Sequence, residues 1–432
     1  MKETNGRTLF ILLCQLALVL ILLVGITGCN RGRSGAQDGE VTITFRTWFP
    51  DPSVWDDLLI PAWDAKRTGI KAEIVQVAYS DHFPSLKVSM ASGEGPDMIG
   101  LQTGAPLEEF QEFLLDITPR AVQTWGSNWE RQWFPSIMSL VKGKIDGYYG
   151  LPIGSSHAGH IWANMAYFNK YNLRVPTNYN ELLAVTRTFR TNGELPLLIG
   201  ARDDWINLDV FINIVSDING QKFFDAIEGR SSFTDPDIIQ ALTIWKNLFD
   251  QGIFQDGALG VNVYSDVTSI FEDEKLAPMY CNGDWSVSDL DRAGGVFEIF
   301  TMDWNNDGKP APVAPTVSIV FSINKESKHM EETWQFYSWF TTEGSRPLMD
   351  YYLYIPTLVD QVVDVSRLSP DTQKNFANAQ QIANDRAAFY REISYPRLRQ
   401  TLADQLKAVA LGESTPQRAA EIIEAASRVE RR

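Results

Sequence analysis

Apolar and polar residues alternate after residue 40 in a pattern that predicts strands and helices in turn. Residues 41–45 show the period of two that is typical of a strand, and residues 52–66 carry apolar side chains at helical spacing. Residues 70–77 and 97–101 are predicted as further strands, with a helix at 81–92 between them. This order of strands and helices is typical of a largely parallel sheet covered by helices.

Helical spacing of apolar residues dominates the rest of the chain. Residues 371–432 are predicted to be almost wholly helical, with a break at Gly412. After this break, Ser414 or Thr415 is expected to cap the next helix, with Pro416 at its first position. Earlier helices are predicted at 107–115, 181–191, 235–251 and 328–342.

The first forty residues have a different pattern. Lys2 and Arg7 precede an apolar stretch, residues 9–24, and the small-residue sequence ITGC follows at 26–29. A charged start, a short apolar segment and a small-residue end are typical of a secretory signal. The sequence ITGC also resembles the bacterial lipobox, in which the cysteine is acylated after cleavage.

We therefore expect a signal peptide at 1–28, a lipid on Cys29 and a flexible polar tether at 29–40. Several acyl chains make a stable anchor, because each buried methylene contributes roughly 0.8 kcal/mol. The folded body is then expected to be extracytoplasmic and anchored to a membrane through this lipid.

The composition narrows the class of protein. Roughly 400 residues follow the predicted signal, enough for two domains that each bury a core. Asp and Glu (54) outnumber Lys and Arg (38), which gives a net charge of -16, and no basic run is present. Nucleic acid is therefore not expected as a partner. No glycine-rich phosphate-binding motif follows the first strand, so no nucleotide cofactor is expected.

Four segments resemble the family 1 extracellular solute-binding proteins of ATP-driven importers, which include maltose-binding-protein-like sugar-binding lipoproteins. Their spacing is characteristic of that group, although Pro278 and Asn324 depart from its common residues. The segments are 91–99 (ASGEGPDMI), 149–183 (with YGLP, AYFNK and PTNYNELL), 271–285 (with FEDEKLAPM and NGDW) and 322–337 (with SINK and TWQFY).

This resemblance implies a two-lobed α/β fold of the type II periplasmic-binding-protein kind. Each lobe would hold a mainly parallel sheet flanked by helices, with the ligand cleft between the lobes. The implied function is capture of a sugar, mono- or oligosaccharide, by hinge closure and its delivery to the membrane subunits of an ABC transporter. The protein would be a monomer and not an enzyme. The predicted lobes are 41–159 plus 318–355 (N-terminal) and 160–317 plus 356–432 (C-terminal).

The ends of the predicted strands indicate where a ligand binds. In α/β sheets, ligands lie in the crevice beyond the carboxyl ends of the strands. Trp48, Phe49 and Asp51 follow the first strand, and Gln102 and Thr103 follow the third. Of these residues, we predict ligand contacts for Trp48, Asp51, Gln102 and Thr103. Packing is the open alternative for Trp48, Gln102 and Thr103.

Aromatic residues in polar loops are further candidates, because sugars pack their C–H faces on flat rings. Trp205 lies among charged residues, and Trp285 follows Asp284 in the segment similar to the family's ligand-facing aromatic residue. We predict that Trp205 and Trp285 contact the ligand. Asp284 either contacts the ligand or hydrogen-bonds within its own loop. Tyr354, beside a predicted crossing between the lobes, either contacts the ligand or packs.

His157 and His160 lie three residues apart and raise the question of a metal site. No cysteine or carboxylate lies at a ligand-like spacing from this pair, so we expect no metal. A hydrogen bond from His160 to the solute is the alternative role. Cys281 is the one cysteine of the body, and a buried apolar role is expected for it.

Two other classes of function remain open. A binding protein for a non-sugar solute such as a polyamine needs carboxylates around an aromatic box, and Asp203, Asp204 and Asp284 lie near Trp205 and Trp285 in sequence. A secreted glycoside hydrolase needs two carboxylates that flank a cleft. Carboxylates are abundant in the chain, but no nucleophile motif such as Gly-x-Ser-x-Gly is present, which favours a binding protein.

Overall fold

The structure is a computed structural model that describes residues 40–142, 146–386 and 392–431. The predicted signal peptide, the acylation site Cys29 and the tether up to residue 39 lie outside these residues. The chain from Val41 onward forms one compact unit. Within the described residues, no helix is both long enough and apolar enough to cross a membrane.

The described strands form two sheets. They are β1 (Val41–Thr47), β2 (Ile70–Gln76), β3 (Met98–Leu101), β4 (Leu151–Ala158), β5 (His160–Asn164), β6 (Leu197–Leu198), β7 (Met279–Asn282), β8 (Phe297–Phe300) and β9 (Ala314–Ile323). The first sheet has the order β2-β1-β3-β9-β4, and the second has the order β6-β7-β5-β8. Because β4 and β5 are consecutive in the chain but lie in different sheets, the chain passes between the sheets at this point.

The predicted order of strands and helices after residue 40 is confirmed. β1 runs parallel to β2 and β3, with Phe45 beside Ile74 and Met98. β9 runs antiparallel to β3 and β4, and β5 runs antiparallel to β7 and β8. The sheets are therefore mixed, and the expectation of mainly parallel sheets is wrong in this detail. Local periodicity predicts strand–helix–strand units, whose strands run parallel. β5 and β9 instead follow crossings from one sheet to the other, and the local pattern does not predict their direction.

Helices pack on both sheets, and the predicted helices are confirmed with shifted ends. Thr415 caps the last helix by accepting a hydrogen bond from the Arg418 backbone N–H, and Pro416 is its first residue, as predicted. The α-helices are α1 (Pro52–Val54), α2 (Ile60–Asp64), α3 (Tyr79–Ala91), α4 (Ala105–Phe110), α5 (Thr118–Trp125), α6 (Pro135–Val141), α7 (Met165–Lys170), α8 (Tyr179–Thr191), α9 (Asp204–Ile227), α10 (Pro236–Asp250), α11 (Val287–Ala293), α12 (Met330–Trp339), α13 (Arg346–Tyr352), α14 (Pro370–Arg386), α15 (Pro396–Ala410) and α16 (Pro416–Glu430). Shorter π and 3-10 turns occur at Trp55–Leu59, Gln111–Phe113, Trp129–Gln132, Ala258–Gly260, Val263–Val267, Ser269–Asp273, Asp284–Ser286 and Phe340–Gly344.

Two large clusters of buried side chains form the core. One contains Phe45 and Phe321 of the first sheet, whose rings lie 5.1 Å apart. The other contains Met279 of the second sheet and Trp245, whose indole N–H donates to the Leu406 carbonyl at 2.9 Å. Close packing of this kind keeps the strands rigid, so the residues at their ends have defined positions.

The crossing of the chain from β4 to β5 is a single residue, Gly159. β4 ends at Ala158, β5 begins at His160, and Gly159 has a φ of +95°. A Cβ at this position would lie 2.6 Å from the side-chain nitrogen of Asn213, so the backbone angle and the close approach both require glycine. β9 pairs with β4 from Ala314 onward and returns the chain to the first sheet beside this connection. The exact division of the chain between the lobes stays a prediction.

Candidate functional site

A cavity lies between residues of the two sheets, beyond the carboxyl ends of β1, β3 and β7. This central cavity has a volume of about 60 Å³, and seven of its lining residues are aromatic. Its lining residues are Trp48, Phe49, Tyr79, Gln102, Ser156, Trp205, Tyr264, Trp285, Thr316 and Tyr354. The strand-end rule for α/β sheets therefore locates the cavity correctly.

Two larger cavities adjoin the central one. The aromatic side cavity, of about 430 Å³, shares Trp48, Trp285 and four further rings with the central cavity and adds Asp51 and Asp289. The polar side cavity, of about 680 Å³, shares Tyr79 and Trp205 with it and is otherwise lined mainly by polar residues. The shared residues make the three cavities parts of one cleft.

Trp48 is held in the cleft by residues of the first sheet and of α3. Its ring makes edge contacts with Tyr79 at 5.3 Å and with His82 at 4.9 Å between centroids. His82 is fully buried, and its Nε2–H donates a hydrogen bond to the Gly100 carbonyl oxygen at 2.8 Å. Burial lowers the pKa of His82 to about 4, so a neutral imidazole supports Trp48 at neutral pH.

Phe49 and Tyr354 form a second pair of rings on the side of the first sheet. They stack at 5.6 Å with 27° between their planes, and Tyr352 stacks on Tyr354 at 5.6 Å. The Tyr352 hydroxyl donates to Asp51 Oδ2 at 3.0 Å and accepts from the Asp51 backbone N–H at 2.9 Å. Asp51 is thereby oriented at the wall of the aromatic side cavity.

Three rings on the side of the second sheet face these residues. Trp205 lies in the first turn of α9, and Tyr264 stacks on it at 5.7 Å with 22° between the planes. Trp285 follows β7 and lies 6.0 Å from Trp205 at an angle of 57°. Tyr79 reaches across from the other side and lies 6.5 Å from Trp205. Rings that follow both sheets therefore meet in the cleft.

Polar groups stand between and beside the rings. The Tyr79 hydroxyl donates to Gln102 Oε1 at 2.7 Å, which leaves the Gln102 amide nitrogen as a donor. Asp289 lines the aromatic side cavity and forms an ion pair with Arg292. Burial raises the pKa of Asp289 to about 6, and the charge of Arg292 opposes this rise. Aromatic faces combined with amide and carboxylate groups suit a ligand with apolar faces and a rim of hydroxyls.

The structure brings six of the nine predicted ligand contacts to the cleft. Five of them line the central cavity, and Asp51 lines the aromatic side cavity. The five are Trp48, Gln102, Trp205, Trp285 and Tyr354. Their contact with a ligand stays a prediction.

The structure does not bring the other three predicted residues to the central cavity. Thr103 is 1% exposed and lines a small cavity of about 20 Å³, which shares Gln102 and Trp205 with the central cavity. Asp284 is buried and accepts hydrogen bonds from His157, which is the alternative of a local role. His160 is 2% exposed, and its Nδ1 lies 3.2 Å from the His157 carbonyl oxygen. Hydrogen bonds to His157 hold the Asp284 and His160 side chains inside the protein.

Phe49, which the strand-end rule names beside Trp48, also lines the central cavity. Other cleft residues were not predicted from the sequence. Tyr79 follows β2, so the strand-end rule applied to the second strand would have found it. Tyr264 and Asp289 lie in segments whose pattern shows no signal, and only long-range packing brings them to the cleft.

Across the described ranges, no group of three or more His, Cys, Asp or Glu side chains is arranged to hold a metal ion. His157 has a carboxylate partner, Asp284, at 2.8 Å. Cys281 is buried, and burial raises the pKa of its thiol, which confirms the predicted apolar role.

Known binding proteins match this chain over most of its length. The multiple sugar-binding protein of Streptococcus mutans is 24% identical over 354 residues, which cover 77% of this chain and 80% of that protein. A putative binding protein of Brucella abortus is 22% identical over 347 residues, which cover 74% of this chain and 80% of the relative.

Solved structures show the same fold. A chitin oligosaccharide binding protein superposes with a TM-score of 0.75 at 18% identity, covering 90% of this chain and 99% of that one. The maltose/maltodextrin-binding domain of Bdellovibrio bacteriovorus bound to maltotriose gives 0.72 at 16% identity, with coverage of 90% and 99%. The fold of this chain is therefore the two-lobed type II fold.

The family model for bacterial extracellular solute-binding proteins matches residues 47–347. This range is more than half of the chain, and it contains β2 to β9 and most of the cleft residues. The chain therefore belongs to the family of bacterial extracellular solute-binding proteins.

Proposed function

We propose that this protein captures a sugar between its two lobes and delivers it to the membrane subunits of an ABC transporter. The observation that carries the proposal is the set of seven aromatic rings around the central cavity. Flat rings pack on the C–H faces of sugars, and amide and carboxylate groups bind their hydroxyls. The sugar-binding relative and the maltotriose-bound structure support this ligand class.

The shape of the cleft favours an oligosaccharide over a single sugar. Ligand pockets usually have volumes of about 300–1,000 Å³, and the central cavity is well below this range at about 60 Å³. The side cavities, of about 430 and 680 Å³, lie within it. A chain of sugar units that passes through the central cavity would occupy both.

A cationic solute such as a polyamine is the second candidate, because Asp51 and Asp289 line the aromatic side cavity. Both carboxylates already have partners: Asp51 accepts from Tyr352, and Asp289 is ion-paired with Arg292. A cation would have to compete with these partners, whereas a neutral hydroxyl can share the remaining acceptor sites of the same oxygens. We therefore favour the sugar.

We expect neutral oligosaccharides to raise the melting temperature of the full chain, because a ligand that binds only the folded state stabilises it. The screen compares mono- to hexasaccharides of the malto-, xylo- and chito- series with spermidine, each at low and at high salt. The expected rise grows with sugar length and changes little with salt. A rise with spermidine alone, abolished by salt, would overturn the sugar proposal.

The same oligosaccharides also separate binding from catalysis. After incubation with the protein, chromatography is expected to recover the oligosaccharide unchanged. Shorter products would identify a glycosidase and would contradict the proposal of a binding protein.

We further propose that the protein acts outside the cytoplasm as a monomer, anchored to the membrane through a lipid on Cys29. In bacterial cells, the wild-type chain is expected in the membrane fraction. The Cys29→Ser variant lacks the thiol that is acylated, so it is expected to leave that fraction. Equal distribution of the two proteins after fractionation would exclude an anchor at Cys29.

A further inference from the structure

The buried carboxylate of Asp284 joins the loop that carries Trp285 to the first sheet. Asp284 precedes Trp285 and is 6% exposed. Its Oδ1 accepts a hydrogen bond from the His157 backbone N–H at 2.7 Å, and its Oδ2 lies 2.8 Å from His157 Nδ1. His157 belongs to β4 of the first sheet, whereas Asp284 follows β7 of the second. The pair therefore links the two sheets beside the cleft.

His157 stands at the connection between the sheets, two residues before Gly159. A carboxylate oxygen only accepts, so His157 Nδ1 carries the proton in this pair. The His157 carbonyl oxygen likewise accepts from His160 Nδ1 at 3.2 Å, on the far side of Gly159. Asp284, His157 and His160 thus form a continuous hydrogen-bonded series that spans the β4–β5 connection.

Other bonds fix the loop only within the second sheet. The Trp162 indole N–H donates to the Gly283 carbonyl at 2.9 Å, and the Asn282 amide donates to Ser286 Oγ at 2.8 Å. Trp162 and Asn282 belong to β5 and β7, which are neighbours in that sheet. The bonds of Asp284, in contrast, lead to β4 of the first sheet.

We propose that Asp284 and His157 are positioning residues that hold the Trp285 ring in register with the connection between the sheets. Neither residue lines the central cavity, so they act through Trp285 and not on the ligand. When one lobe rotates relative to the other, the chain must bend at its crossings between the sheets, and the β4–β5 connection is one of these crossings. Because the Trp285 loop is bonded to this connection, the Trp285 ring keeps its place in the cleft during such a rotation. The consequence for sugar affinity rests on the proposed function, but the positioning itself does not.

The positioning is tested without any sugar by fluorine NMR of the full chain labelled with 5-fluorotryptophan. The signal that disappears in Trp285→Phe belongs to Trp285. In Asp284→Ala we expect this signal to shift or broaden, because the loop loses both bonds to β4. Asp284→Asn and His157→Ala are expected to give smaller changes, since in both the backbone N–H of residue 157 still donates to residue 284. An unchanged Trp285 signal in a folded Asp284→Ala protein, or in both Asp284→Asn and His157→Ala, would overturn the proposal.

Asp303 provides a matched control for loss of a buried aspartate. It is 5% exposed, accepts backbone hydrogen bonds from Asp307 and Gly308, and lines none of the three cleft cavities. Asp303→Ala is expected to lower the melting temperature and to leave the Trp285 signal unchanged. If Asp303→Ala moved this signal as much as Asp284→Ala, the effect of Asp284 would be general destabilisation and the proposal would be wrong.

Binding adds a double-mutant cycle with maltotriose, xylotriose and chitotriose as probes. Asp284→Ala is expected to weaken the binding of whichever probe binds about tenfold, and to have no further effect in a Trp285→Ala background. Additive effects would show that Asp284 acts other than through Trp285. If none of the probes binds the wild-type chain, the sugar proposal fails for these sugars, while the fluorine result still decides the positioning.

Discussion

Replacing Trp285 with alanine is expected to weaken sugar binding by about 1–3 kcal/mol, roughly 5- to 150-fold in Kd. The ring lines both the central and the aromatic side cavity, and it lies 6.0 Å from Trp205. It is only partly buried against the core, so its removal deletes a platform of the cleft and costs little folding stability. Isothermal titration calorimetry with the oligosaccharide of largest thermal shift measures the change.

Trp125→Ala is the matched control for this substitution. Trp125 is partly buried like Trp285, but it packs on Trp129 and Trp334 and lines none of the cleft cavities. The control is expected to bind sugar as the wild type does, with a lower melting temperature. An unchanged affinity in Trp285→Ala would place this ring outside the binding site.

Replacing Glu272 with glutamine is expected to stabilise the fold by roughly 4 kcal/mol near pH 8 and to have little effect near pH 4. Glu272 is 4% exposed, and its Oε1 accepts a hydrogen bond from the Tyr280 hydroxyl. Burial raises the pKa of Glu272 from 4.5 to about 8, with a further contribution from the charge of Asp289. Glutamine keeps an acceptor for Tyr280 and has no charge to bury.

The sign of the effect follows from proton binding. Between pH 4.5 and about 8 the folded state keeps the Glu272 proton, whereas the unfolded chain releases it. The free energy of unfolding of the wild type therefore falls as pH rises through this range. The glutamine variant has no carboxyl at this position, so its free energy of unfolding does not include this decrease. Denaturant unfolding of both proteins at several pH values measures the difference.

Asp273 gives the matched control, since it is the exposed neighbour of Glu272 in the chain. Asp273→Asn is expected to change the pH dependence of stability by only a small fraction of the Glu272→Gln effect, because its charge is already in water. Identical pH dependence in Glu272→Gln and the wild type would show that the Glu272 carboxyl is ionised in the folded protein.

Much of the fold was predictable because local periodicity reports which face of an element is buried. The alternation at 41–45 and the helical spacing at 52–66 correspond to β1 and to the helical segment after it. β4 is different: it is buried along its whole length although it contains Gly154, Ser155 and His157. The sequence of β4 therefore shows no alternation of apolar and polar residues, and its place in the sheet depends on pairing with β9.

The candidate site was predictable where a rule connects position in the chain with position in space. Trp48 and Gln102 follow parallel strands, and such strands end at one edge of a sheet, so both reach the cleft. Trp285 was found through the resemblance of the segment around it. No such rule applies to Tyr264. It lies in the turns between Ala258 and Asp273, outside both sheets, and tertiary packing brings it to Trp205.

By itself, the sequence determined the order of strands and helices, the membership in a family and the strand ends that border a cleft, because these depend on neighbouring residues along the chain. Only the tertiary structure decided that the sheets are mixed, that Tyr264 and Asp289 belong to the cleft, and that Asp284 binds His157. The direction of a side chain near a crossing between sheets depends on partners more than a hundred residues away, and no local pattern records it.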